Sequence, residues 1–368
     1  MTENCIYFTQ ISVQSGFLVH LIMPFSDILA QDHIIDHFKK AIKADQLSHA
    51  YIFTGQEGIG KTLFAKEFAK ALNCKSDGND SCNLCQNCIR IEKHNHPDIF
   101  WTEREEKAKF IKIENIRNLQ NSVRLSPLES DFKIFIIKEA DRMNEEASNC
   151  LLKTLEEPSP NTIIILITNS ITSIKDTIRS RCQIIRFHPI PIHIIENQLK
   201  DKFDADNNKI RWISRFCNGS LGNALHLLSD NHYEINNEIV TRMTEPDMDN
   251  LVFAEEVIDS YLSAGDSLEE KRQILKSILH CILQLYRDLL IIKVMNVHDI
   301  QQKKLSLFNT DREDILQKHA NYLTQEQIMY VIDEILESIQ YIDFNLNINL
   351  LIENIITRIT VLNSKARS

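Results

Sequence analysis

Gly55-Gln56-Glu57-Gly58-Ile59-Gly60-Lys61-Thr62 sets glycines at its first and sixth positions, followed by a lysine and a hydroxyl. Those residue types at those offsets bind phosphate. Glycine lets successive backbone N–H groups curl around phosphate oxygens at a helix N-terminus. Lys61 is placed to reach the β- and γ-phosphates, and the Thr62 hydroxyl to ligate magnesium. Glycine is scarce elsewhere: the chain has eight, and Gly55, Gly58 and Gly60 all fall in this octapeptide.

Nucleotide hydrolysis needs a second element, a strand that ends in acids. One acid holds magnesium through its waters, and a neighbouring glutamate polarises the attacking water. Here Ile134-Phe135-Ile136-Ile137 runs into Lys138-Glu139-Ala140-Asp141. Lys138 cannot hold a metal, although its ammonium can offset phosphate charge. Glu139 keeps the position of a base but has little to assist. The expectation is a site that binds nucleotide and hydrolyses it weakly or not at all. The competing reading sends Lys138 to solvent and gives its task to Asp141 or a water.

Two further groups can do chemistry. Cys74, Cys82, Cys85 and Cys88 fall within fifteen residues. Their number and spacing suit a tetrahedral zinc, and four thiolates leave no open position for water, so the site is expected to be structural. Two CxxC steps sharing Cys85 cannot both be redox motifs. His94 and His96 follow as bystanders, and the plainer alternative is reduced cysteines in a loop. Arg179-Ser180-Arg181-Cys182 offers arginines at a domain edge. These are either a solvated basic surface or a charge that reaches a neighbour's γ-phosphate in trans.

The elements that must position these groups follow from periodicity. Tyr51-Ile52-Phe53-Thr54 reads as a short buried strand, and Phe64, Ala65, Phe68, Ala69 and Leu72 mark one face of the helix after the loop. Further strands are expected at Asp98–Trp101, Lys133–Ile137, Ile163–Thr168 and Gln183–Phe187, with amphipathic helices at Ile113–Arg124 and Asn144–Leu155. Such alternation implies an α/β domain with a mostly parallel sheet, over residues 23–188, carrying a cysteine insertion at 74–96. Pro189 and Pro191 mark a boundary. Residues 189–245 read as a small helical domain with a turn at Asn218-Gly219-Ser220-Leu221-Gly222, and residues 246–368 as an all-α domain. Its apolar stripes are Ile274, Leu275, Ile278, Leu279, Ile282 and Leu283, then Leu346, Leu350, Leu351, Ile355, Ile356 and Ile359. Residues 1–22 are expected to be an upstream extension from a misassigned start, or a disordered tail, with Met23 opening the first domain.

Composition narrows the class. A formal net charge of −10 argues against a protein held on nucleic acid by overall charge, which disfavours a zinc-bearing DNA-binding module. No apolar stretch reaches the length of a membrane span, and nine cysteines without a secretory signal fit a reducing cytoplasm.

Several segments together resemble the bacterial clamp-loader AAA+ subunits. They are Phe25-Ser26-Asp27-Ile28-Leu29-Ala30-Gln31, Ser48-His49-Ala50-Tyr51, the phosphate loop, the cysteine cluster, Leu151-Leu152-Lys153-Thr154-Leu155-Glu156-Glu157-Pro158 and Ser180-Arg181-Cys182, in that order. The likeness is strong over residues 23–230 and implies an AAA+ P-loop domain, a helical lid and a helical collar. It implies that Arg181 is an arginine finger for an adjacent subunit, that Asn169 beside Thr168 is the sensor-1 polar group, and that Glu139 is at most a vestigial base. Lys138 and Asn223, in Gly222-Asn223-Ala224-Leu225, stand where the motor-type gamma/tau subunit has an acid and the sensor-2 arginine. With His96-Pro97-Asp98 and Glu139-Ala140-Asp141-Arg142-Met143, they point to the stator-type member, and an active gamma/tau-type ATPase is the alternative. Implied ligands are structural zinc and ATP or ADP with magnesium. Implied partners are the gamma/tau and delta subunits through the collar, the sliding clamp and primer–template DNA.

Overall fold

Strand formation follows from runs of β-branched and aromatic residues that can be buried on both faces. In the computed structural model, which describes residues 28–76, 80–105, 108, 110–245, 250–262, 267–294, 307–342 and 348–367, five strands form. They are β1 (Ala50–Thr54), β2 (Ile99–Thr102), β3 (Lys133–Ile137), β4 (Thr162–Thr168) and β5 (Gln183–Arg186). Every pairing is parallel, in the order β2-β3-β4-β1-β5. The expected start at residues 1–22 and Met23, and Leu346 of the second stripe, lie outside the described residues.

The packing divides the chain into two compact units: Met1–Thr54 with Lys61–Arg186, and Gly55–Gly60 with Phe187–Ser368. In the first, the strands' period of two splits their side chains between two cores. Ala50, Ile52, Phe135, Ile137, Ile164 and Leu166 pack with α4 (Ile113–Val123) and α5 (Glu145–Glu156) through Ile116, Leu119, Ala147 and Leu151. Tyr51 and Phe53 join Phe38 of α1 (Asp32–Lys43) and Phe64 and Phe68 of α2 (Lys61–Asn73) in an aromatic cluster. Between α2 and β2 lies α3 (Gln86–Glu92), and α6 (Asp176–Arg179) leads into β5.

The buried Asp98 organises the turn that leads from α4 to β3. Its carboxylate accepts the backbone N–H groups of Leu128, Glu129 and Ser130 at 2.7–3.1 Å and the Ser130 hydroxyl at 2.8 Å. Burial works to raise its pKa, but the Glu129 and Leu128 N–H groups and Ser130 outweigh it and hold the carboxyl below its usual range. Asp98→Ala leaves these donors without an acceptor and is expected to cost about 3 kcal/mol of stability. Because the folded-state pKa is depressed, the contribution of Asp98 is present above the unfolded value of about 4 and is lost as the pH falls through the folded value. Urea titrations at pH 7 and below pH 4 check both points; equal stability of variant and wild type at pH 7 counts against this role.

The second unit is helical: α7 (Ile192–Lys202), α8 (Asn207–Phe216), α9 (Leu221–Ser229), α10 (His232–Thr244), α11 (Asn250–Ser260), α12 (Leu268–Val294), α13 (Glu313–Tyr322), α14 (Gln325–Tyr341) and α15 (Ile348–Arg367). Helix α12 forms its axis, burying Leu275, Ile278, Leu279, Ile282, Leu285 and Leu289, with Ile274 and Leu283 half-buried at the margin. On α15 the stripe runs through Ile352, Ile355, Ile356 and Ile359, whereas Leu350 is 61% exposed. Among the described residues no helix is long and apolar enough to cross a membrane.

Candidate functional site

Strands β1 and β4 end together, Thr54 opposite Thr168, so the segments that leave them emerge side by side at one sheet edge. Asn169 follows β4, and its Oδ1 accepts a hydrogen bond from Lys61 Nζ at 2.9 Å. Lys61 opens α2 and is 5% exposed, while Thr62 beside it is half-buried. The fold thus brings together two of the expected phosphate-site residues from positions 108 apart in sequence.

The preceding loop has the backbone of an anion cradle. Gly55, Gly58 and Gly60 have φ of 149°, 73° and 102°, a region side chains rarely adopt. A Cβ at Gly58 would also lie 2.3 Å from Ser220 Oγ, while one at Gly60 would meet nothing within 4 Å. The Gly58 carbonyl accepts the Gly222 N–H at 2.9 Å, and a Cβ on Gly222 would come within 3.0 Å of Gly58 Cα. The first turn of α9 therefore seats directly on the loop. Ser220 caps that turn, accepting from Asn223 N at 3.0 Å.

At the exit of β3, both residues at the acidic position are engaged by the neighbouring edge strand. Lys138 Nζ lies 2.8 Å from Glu103 and 5.5 Å from the centre of the Trp101 ring. Glu139, with φ 47° and ψ 46°, receives Arg104 Nε at 2.8 Å. Successive residues just past the ends of the parallel strands β2 and β3 thus form ion pairs of opposite polarity, on the side of β3 away from β4 and β1. Asp141 accepts the Thr168 hydroxyl at 2.8 Å. Spacing carries no sign of these pairs, because only strand register brings 103 to 138 and 104 to 139.

Arg181 stands between α6 and β5, about one third exposed. Its Nη2 meets Glu156 Oε1 at 2.8 Å and its Nη1 donates to the Thr177 carbonyl at 2.9 Å. Glu156, at the end of α5, is the residue that sequence reasoning passes over; it aims the guanidinium. Arg179 is occupied with Asp176. Burial pushes the Cys182 thiol up to about 12, which makes it a packing group.

The sulfurs of Cys74, Cys82, Cys85 and Cys88 all lie within 4.8 Å of one another, with Cys82 and Cys88 4.0 Å apart. Zinc–sulfur bonds of about 2.3 Å place tetrahedral sulfurs about 3.8 Å apart, so the set fits a closed four-thiolate centre. Backbone N–H groups already point at the sulfurs: Cys82 N to Cys74 Sγ at 3.4 Å, Cys85 N to Cys82 Sγ at 3.3 Å and Cys88 N to Cys85 Sγ at 3.5 Å. The Leu84 N–H is the chief cause that brings Cys82 down to about 6, whereas burial raises Cys88. The His94 ring lies against Trp101, tilted 50° with centroids 4.5 Å apart, and His96 Nδ1 accepts the Asp98 N–H at 3.2 Å. Neither belongs to the cluster.

The family model described as DNA polymerase III, delta subunit matches residues 30–191. The DNA polymerase III subunit delta' of Bacillus subtilis (strain 168) is 30% identical over 330 residues, covering 89% of this chain and 95% of that protein. The gamma subunit of Buchnera aphidicola subsp. Acyrthosiphon pisum (strain APS) is 33% identical over 210 residues; the match takes in 55% of this chain and 57% of that subunit. A solved gamma subunit-related protein of Thermotoga maritima is 16% identical, with a TM-score of 0.42, over 89% of this chain and 99% of its own.

Proposed function

Because the chain belongs to the delta-prime family of bacterial DNA polymerase III clamp-loader subunits, we propose that it is the stator of the replicative clamp loader, holding nucleotide with little turnover and lending Arg181 to a neighbour. The observation that carries this reading is the pair of cross-strand bridges, Lys138 with Glu103 and Arg104 with Glu139. They engage Glu139, the one base candidate, and Lys138, which stands in place of the metal-holding acid, while the loop and Lys61–Asn169 remain suited to binding.

In this reading the loop amides and Lys61 hold the phosphates, Asn169 fixes the lysine's head, and Thr62 turns its hydroxyl to the metal site. Magnesium, held in part by that hydroxyl, would supply charge neutralisation at the phosphates. Asn223 brings no cation to the γ-phosphate. Arg181, aimed by Glu156, adds charge stabilisation at the γ-phosphate of an adjacent gamma/tau subunit. The four cysteines hold structural zinc. The helices beyond residue 246 serve as the collar that meets gamma/tau and delta, and the assembly acts in the cytoplasm on the sliding clamp and primer–template DNA.

An active gamma/tau-type ATPase is the second reading, favoured by the intact loop and the likeness to gamma subunits. Lys138→Asp separates the two. On the stator reading it raises magnesium-dependent nucleotide affinity about tenfold and leaves turnover near wild type, because Glu139 is still bound to Arg104 and Asn223 is unchanged. Unaltered magnesium dependence, by calorimetry with and without the metal, contradicts it. The overall role is tested by reconstitution: a loader assembled without this chain is expected to fail at placing the clamp on primed DNA, and to recover when it is added. Equal loading without it contradicts the assignment.

A further inference from the structure

The phosphate-loop helix and the cysteine knuckle are joined by buried charge. Lys66, Glu67 and Lys70 of α2 face α3 and the knuckle, and Glu67 and Lys70 have no exposed surface. Lys70 Nζ donates to Glu67 at 2.8 Å, to Asn83 at 3.0 Å and to Glu92, and Lys66 Nζ donates to Glu92 at 2.6 Å. Ser81 donates to the other Glu67 oxygen at 3.2 Å. At the end of α2, Asn87 Nδ2 donates to the Asn73 carbonyl at 2.8 Å, and Cys74 is the next residue.

The lysines Lys66 and Lys70 balance Glu67 and Glu92, and Ser81 and Asn83, which flank Cys82, add hydrogen bonds to Glu67 and Lys70. A buried ion pair is stable only while every partner stays in place, since an unpaired charge in a low-dielectric site is strongly destabilising. Ser81 and Asn83 sit on a short cysteine loop with little apolar cover of its own: Leu84 is 83% exposed. Three of the sulfurs accept its Cys82, Cys85 and Cys88 N–H groups.

We propose that Lys66, Glu67, Lys70 and Glu92 form a strut through which metal at the four cysteines sets the order of the phosphate-loop helix. The inference rests on the metal reading of the cysteines and is independent of nucleotide turnover.

Amide hydrogen exchange on the full chain tests it, with zinc content measured alongside. Stripping zinc with a chelator is expected to lower protection of the α2 amides by about tenfold or more, while α12 amides change little. The paired variant Glu67→Gln with Lys70→Met removes the buried charges at similar volume and leaves Lys66 with Glu92. In it, stripping is expected to change α2 protection by less than about threefold. Unchanged α2 protection in stripped wild type overturns the proposal, as does an equal loss in variant and wild type. A chain that takes up no zinc overturns it together with the metal reading. If the variant does not fold, the wild-type comparison decides alone.

Discussion

Replacing Arg181 with alanine is expected to lower ATP hydrolysis at the adjacent motor site by about 10³-fold in the reconstituted loader, the scale of losing an arginine finger. Assembly itself is expected to persist. Arg181 is partly exposed and its bridge to Glu156 lies at the surface, where such pairs contribute less than about 1 kcal/mol. Its loss therefore leaves no buried charge behind. Arg181→Lys keeps the charge but not the planar fork, and is expected to recover only a small part of the rate. Single-turnover hydrolysis in the assembled complex checks this; an unaltered rate at every site refutes the trans role.

Lys61→Ala is expected to weaken nucleotide binding to the isolated chain by about 100-fold or more, close to 3 kcal/mol. The lysine head is buried and already directed by Asn169 Oδ1 at 2.9 Å, so little ordering is left to occur when phosphate arrives. The substitution also deprives Asn169 of a donor, a local cost of about 1–3 kcal/mol. Calorimetry with ATP, and a denaturation curve for the variant, separate the two effects. Affinity within a few-fold of wild type would remove Lys61 from the phosphate site.

The parts legible in the sequence are those in which residue type alone constrains the backbone or the core. Three glycines in one octapeptide announce a loop of positive φ, and all three have it. The run Lys133–Ile137 reads as a strand and forms β3 with those limits; its continuous apolar character suits burial on both faces. Cysteine spacing was enough to anticipate that the four sulfurs lie together, because a chelated metal sets ligand count and geometry. What spacing does not carry is the fate of long charged side chains. Lys70 and Glu67 read as a helix surface yet have no exposed area, because α3 packs over them. Lys133 is 2% exposed, and its ammonium donates to the Ser122 and Leu125 carbonyls at 3.1 and 2.9 Å. Glu103 and Arg104 carry no motif, and only the register of β2 on β3 gives them partners; Glu156 lies in the Leu151–Pro158 segment, but its spacing says nothing of Arg181. Leu350 shows the same limit for apolar residues: a single helical period includes it in a core face, but that face turns inward through Ile352.

Binding and turnover measured together on the isolated chain bear most directly on the stator account. The loop, Lys61 and Asn169 predict ATP binding that Lys61→Ala weakens by about 100-fold or more, while Lys138 with Glu103 and Glu139 with Arg104 predict steady-state hydrolysis indistinguishable from that of Lys61→Ala. Rapid hydrolysis by the isolated wild-type chain, lost in Lys61→Ala, would contradict the account and identify the subunit as a motor.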